Sequence, residues 1–184
     1  MNIRNNQRTQ NTLKKIKEIL LRKLDSRRLN RITVQEICSE AKINRTTFYT
    51  HYDNIYDLMQ SIEVEMQQGV RKLLLDPNSG IFRPLTEKSL EQLIIYIYEH
   101  AHFYRILLND FNGLNVIDRE LAAQWEKEIE PVIRKKTGAT ETELRYRFEY
   151  FNWGLRGIIR KWLNMNCPES PRELTQAIKN VVQL

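Results

Sequence analysis

Apolar residues recur at intervals of three and four along most of this chain, and that period predicts helices. Leu13, Ile16, Leu20 and Leu24 mark one face of a helix over about 9–25. Val34, Ile37, Cys38 and Ala41 mark a short second one. Thr33 and Glu36 around its start form a capping box, in which the threonine hydroxyl takes the Glu36 N–H and the carboxylate reaches back. Asn44 is the next capping residue, opening a helix through about Tyr52. Asn54 caps a longer one carrying Leu58, Met59, Ile62 and Met66 to about Leu75.

"DPNSG", residues 76–80, is the clearest turn signal. Beyond it Thr86 caps a helix to about Glu99, whose stretch "LIIYIY" is apolar nearly all round and predicts deep burial. Helices follow over 101–109 and 114–136, the second bent or interrupted at Pro131. Thr140 to about Met165 reads as one long helix with Phe148, Phe151, Leu155, Ile158 and Trp162 along it. Ser170 and Glu173 form a second capping box with Pro171 at the first helical position, opening a last helix with Leu174, Ala177, Ile178 and Val181. No alternating strand pattern competes. The expected fold class is all-α, a three-helix N-terminal domain over 9–70 and a helical bundle over 71–184.

Composition narrows the classes. The 184 residues include 6 Gly and 5 Pro, too few for the turns of an all-β fold. No run of about 18 apolar residues exists, so no membrane partner is expected. The polar, basic N-terminus lacks the apolar core of a signal peptide, and Cys38 and Cys167 form no metal or redox spacing. A reduced, cytoplasmic setting is the simplest fit. Residues 1–52 hold twelve Lys/Arg against four Asp/Glu, a surplus of eight, whereas the remainder is two net negative. Such asymmetry suggests a polyanion partner for the first third, because phosphate neutralisation supplies most non-specific nucleic-acid affinity. A solvated basic helix face is the alternative.

Two short capped helices at 33–41 and 44–52 have the spacing of a helix-turn-helix. Phe48 and Tyr52, with Ile43, face inward, which leaves Thr46, Thr47, Tyr49 and Thr50 outward and Arg45 at the exposed first turn. Hydroxyls and a threonine methyl suit base edges in the major groove, and Arg45 can bond guanine bidentately. Tyr49 and His51 suit phosphates, which fix register. Thr33 and the backbone amides beside it form another expected phosphate site. An ordinary helical hairpin with solvated threonines is the competing reading.

"ITVQEICSEAKINRTTFYTHYDNIYDLM" resembles the DNA-binding region of TetR-family transcriptional regulators, through Thr33, Ile37, Ala41, Ile43, Thr47, Tyr49, His51, Tyr52 and Leu58. Asn44, the capping residue of the second helix, is also an expected DNA-binding residue. Two positions depart from the family pattern. Lys42 stands at the usual turn glycine and is expected to adopt a left-handed backbone, with an added phosphate contact as the gain. Ile55 stands where a phosphate-binding lysine is usual.

The resemblance implies double-stranded DNA as partner, a homodimer, and control by a small-molecule effector. The chain ending also resembles a TetR subgroup that includes an activator working through a protein coactivator, which stays as an alternative to a ligand-controlled repressor on a palindromic operator. A protein-interaction bundle that binds no DNA is the remaining one. Gly154 and Gly157 within an apolar helix suggest close helix approach, so the expected dimer surface is Phe151, Gly154, Leu155, Gly157, Ile158 and Trp162 with Leu174 and Ile178. Tyr96, Tyr98, Phe103, Tyr104, Trp125 and Phe148 are the candidate ligand-pocket aromatics, although aromatics at helical spacing also read as plain core. His100 and His102 point opposite ways and imply no metal, and Cys38 reads as buried packing. No nucleophile–base pair, carboxylate pair or Gly-rich loop suggests an enzyme or a cofactor.

Overall fold

The structure is a computed structural model that describes residues 3–74, 86–109 and 125–182. The turn expected at 76–80 and the first part of the helix expected over 114–136 lie outside the described residues. All regular structure among the described residues is helical. The helices are α1 Ile3–Leu24, α2 Val34–Ala41, α3 Arg45–Tyr49, α4 Ile55–Leu74, α5 Glu87–Glu99, α6 Ala101–Asn109, α7 Glu130–Thr137, α8 Glu141–Asn164 and α9 Pro171–Val182. A 3₁₀ turn at Leu29–Arg31 joins α1 to α2, and a π turn at Trp125–Ile129 runs into α7. No described helix is long and apolar enough to cross a membrane.

The chain divides into two compact units, Met1–Gln68 and Gly69–Leu184. In the first, α2 packs on α1 and α3 on α2. Ile16, Leu20, Ile37, Phe48 and Leu58 are fully buried there. In the second unit α5 packs on α9 and α6 on α8. Leu90, Ile94, Leu144, Leu163 and Ile178 form its buried centre. Gly69 has no room for a side chain, because the Tyr96 hydroxyl occupies the place a Cβ would take.

Capping residues set several boundaries. Thr33, Thr86 and Thr140 each accept the N–H three residues on, from Glu36, Ser89 and Glu143. Ser170 and Glu173 make the same reciprocal pair at the start of α9. Three readings of the sequence need correction. Helix α1 begins at Ile3 rather than near residue 9, since its first turns are polar and leave no apolar period to read. Helix α3 stops at Tyr49, and a tighter bond from His51 N to Phe48 O closes it before Tyr52. "LIIYIY" is not buried all round: Ile95 and Tyr98 are exposed, because the described neighbouring helices leave that side of α5 uncovered. Pro131 does interrupt its helix, with the π turn directly before it.

Candidate nucleic-acid interface

The site begins with how α2 and α3 are locked. Thr33 and Glu36 bond reciprocally at the start of α2, and Arg27 Nη1 holds the Glu36 carboxylate at 2.7 Å. Those donors, Arg27 foremost and then the Thr33 N–H and hydroxyl, pull the Glu36 carboxyl down to about 2. The helix ends at Lys42, whose φ of 59° and ψ of 47° are left-handed, as the missing turn glycine requires. Asn44 then caps α3, its Oδ1 accepting from Thr47 N at 2.7 Å and from the Thr47 hydroxyl at 2.9 Å.

Phe48 is wholly buried and anchors α3, with Tyr52 5.6 Å from it ring to ring and Tyr49 edge-on at 5.6 Å. Burying that one side leaves Arg45, Thr46, Tyr49, Thr50 and His51 exposed and Thr47 partly so. The exposed set therefore shares one surface, formed by the outer side of α3 and the turn after it. Its hydroxyls are not equally free. Thr50 donates to Thr46 O at 2.9 Å and Thr47 to Asn44, so both keep only lone pairs and methyls for a partner.

Arg45 is braced. Its Nη2 donates to Gln35 Oε1 of α2 at 2.7 Å. Sequence reasoning missed Gln35. The signal was there in its place at the second position of α2, ten residues before Arg45, on the turn that the helix-turn-helix folds toward α3.

One expected contact is corrected. Thr33 does not offer an open anion site, because the Glu36 carboxylate already occupies its N–H and hydroxyl. A phosphate there would meet a like charge at close range. The capping box and the phosphate site were competing uses of the same donors.

Against this geometry stand the comparisons. Residues 86–184 match the TetR-type family described as "Transcriptional regulator C-terminal region". The chain belongs to the TetR family of transcriptional regulators. The chain is 26% identical over 175 residues to the uncharacterized HTH-type transcriptional regulator YxbF of Bacillus subtilis (strain 168). That match takes in 91% of this chain but only 43% of the curated relative's length. The fold also resembles the fatty acid degradation regulator FadR from Bacillus halodurans, with a TM-score of 0.62 at 15% identity over 93% of this chain and 94% of that one. A TetR transcriptional regulator from Streptococcus agalactiae 2603V gives 0.61 at 18% identity over 97% of each chain.

The second unit of this TetR-type chain rearranges the expected site residues. The aromatic contacts fall in two groups. Tyr96 stacks near His100 at 4.4 Å and lies 6.3 Å from buried Tyr104, which Phe103 meets edge-on at 5.2 Å. Trp125 packs on Phe148 at 5.5 Å and Phe151 at 5.8 Å. Tyr98 instead lies exposed beside Trp162, at 5.9 Å.

The dimer surface also needs correction. Trp162, Leu174 and Ile178 are buried inside the unit itself, Trp162 Nε1 donating to Glu169 O at 2.9 Å. Phe151 is taken up by Trp125. Leu155 and Ile158 are half-buried on the same side of α8. Phe148, Phe151 and Trp162 of the stripe thus pack within their own unit. Helical period identifies a buried side without saying what buries it. The opposite side carries Tyr146, Tyr150 and Trp153, all exposed, beside Gly154 and Gly157, where an added Cβ would meet none of the described residues.

Proposed function

We propose that the chain is a homodimeric repressor that binds a palindromic operator through α3, working in the cytoplasm. In this reading residues 9–70 bind DNA and residues 71–184 dimerise and carry control. The braced Arg45 beside exposed Thr46 and Tyr49 on one capped helix, with His51 on the turn after it, carries the proposal. Arg45 reads a guanine, the Thr46 hydroxyl and Thr47 methyl read neighbouring base edges, and Tyr49, His51 and Lys42 hold phosphates. One such helix reaches few bases, so two half-sites separated by about 34–36 Å, a DNA turn, supply specificity. A dimer seated on a promoter then excludes polymerase.

Ligand control draws support from two buried donors. Among the described residues neither the Tyr104 hydroxyl nor Trp125 Nε1 has a hydrogen-bond partner. Each sits among aromatic rings, and a small effector with a polar group would satisfy such an atom. Its effect on DNA requires unequal affinity for two conformations.

Selection of bound fragments from a random duplex pool tests the reading. A palindromic product, and a reporter under that sequence silenced by the chain, would support it. A reporter switched on would favour activation through a protein coactivator. An unselected pool would leave a protein-interaction bundle.

A further inference from the structure

We infer that the groove between the first turns of α1 and the Lys42 turn is a second DNA-backbone site, gripping a phosphate that flanks the half-site read by α3. This rests on the duplex-binding reading above. Several cations of the N-terminal third are already paired. Arg22, Lys23 and Arg27 are spent on Glu40 and Glu36, Lys17 on Glu65 and Lys14 on Glu18. The groove between α1 and the turn is lined by Gln7, Arg8, Asn11, Lys15 and Lys42, over a floor that includes Ile43, and no carboxylate lines it.

Arg8 and Lys42 are exposed and neither side chain is engaged by a described acceptor. Lys15 adds charge while its Nζ stays on Ala41 O at 3.1 Å. Another surface depression of this unit offers a contrast. That one is lined by Lys23, Thr33, Gln35 and Ser39 together with Glu36 and Glu40, and its carboxylates would repel a phosphate.

The backbone gives an independent reason. Lys42 sits in a left-handed conformation that an L side chain adopts at a cost and glycine adopts freely. A phosphate contact from the Lys42 ammonium would offset that cost. The groove's lining ends at Ile43, one residue before the Asn44 cap of α3, so a phosphate fixed in it would set the register of α3. The ligand class is a phosphodiester of duplex DNA, with the amides of Gln7 and Asn11 as added donors.

The test uses the full chain with Arg8→Gln and Lys42→Gly, titrated on its selected duplex and on random duplex from 50 to 200 mM salt. Each variant should lose affinity severalfold on both duplexes alike, and its log–log salt slope should fall by about 0.9 per lost phosphate. Ethylation of one phosphate beside the half-site should hinder the parent and not the variants. Circular dichroism should show both folded, with Lys42→Gly melting at or above the parent temperature. An unchanged slope in either variant, with the parent binding normally, overturns the groove and leaves the duplex-binding reading intact. A parent that binds no duplex overturns both.

Discussion

Arg45 Nη2 lies 2.7 Å from Gln35 Oε1, so the guanidinium that opens α3 is oriented by a side chain of α2 before any ligand arrives. An unbraced arginine loses rotamer freedom on binding, and this one has lost part of it already. We predict that Arg45→Ala costs about 1–3 kcal/mol on the selected site and relaxes preference at one base pair. Gln35→Ala should cost less, and the double variant should cost less than the two singles added, because both act through one contact. Fluorescence anisotropy on the cognate duplex and on each single-base variant measures this. Full additivity would show that the brace is irrelevant to recognition.

Asn44 is expected to matter for stability first. Its Oδ1 satisfies the Thr47 N–H and hydroxyl together, in a helix of only 5 residues. So short a helix has little cooperativity of its own and depends on its cap and on Phe48. Asn44→Ala should destabilise the N-terminal unit by about 1 kcal/mol, and Asn44→Asp by much less. Urea unfolding followed at the aromatic residues of that unit is the measurement. An Ala variant as stable as the parent would mean the cap is dispensable.

Acid should loosen the N-terminal unit through Glu36. Its folded carboxyl titrates near 2, below the ordinary value of 4.5, chiefly through the hydrogen bond from Arg27. A depressed folded value means the contribution to stability is complete above the unfolded value. It is lost as pH falls from about 4.5 through about 2. Glu36→Gln, which stays neutral throughout, should melt lower than the parent at pH 6, and the gap should narrow steadily below pH 4.5 as pH falls toward about 2. A gap that stayed constant over that range would rule out the Glu36 carboxylate as the titrating group.

The parts of the site legible in the sequence were those set by local chemistry. Caps at Thr33, Asn44, Thr140 and Ser170 depend on residues three apart, so their spacing alone announces them. The left-handed Lys42 follows from the same local geometry, once a glycine is missing from a turn that needs one. Contacts between elements were not legible in that way. Nothing local says that Gln35 meets Arg45, or that Trp162 and Ile178 bury within their own unit. Amphipathic periodicity gave the buried side of α8, and the aromatic residues of its other side, breaking no pattern, drew no notice.

Tyr104 offers a test of the second unit. It is 4% exposed, and burial pushes its hydroxyl far above the ordinary range, so it stays protonated. No described group accepts its proton. A buried hydroxyl without a partner costs about 1–3 kcal/mol, which Tyr104→Phe removes at almost unchanged volume. The variant should therefore melt at or above the parent temperature, and a polar effector, once found by thermal shift, should bind it more weakly. A clearly lower melting temperature would mean that the hydroxyl is satisfied in solution.

The remaining prediction concerns how two copies meet. Tyr146, Tyr150 and Trp153 are 66%, 77% and 53% exposed on the side of α8 that also carries Gly154 and Gly157. Interior glycines weaken a helix by about 1 kcal/mol each against alanine, and close approach of another helix is a usual compensation. Among the described residues nothing comes within 4 Å of where their Cβ atoms would be. A second copy of α8 crossing there would fill that space and cover the three aromatic rings, which are the residue types enriched in interface centres. Gly157→Leu should thus give a monomer near 22.1 kDa by sedimentation, with the helical content and melting of the N-terminal unit unchanged. Phe151→Ala should do the opposite, lowering stability by about 1–3 kcal/mol through the loss of its packing on Trp125 while leaving a dimer. If Gly157→Leu stayed dimeric and Phe151→Ala fell apart into folded monomers, the stripe read from the sequence would be the true interface, and the exposed face of α8 would need another partner.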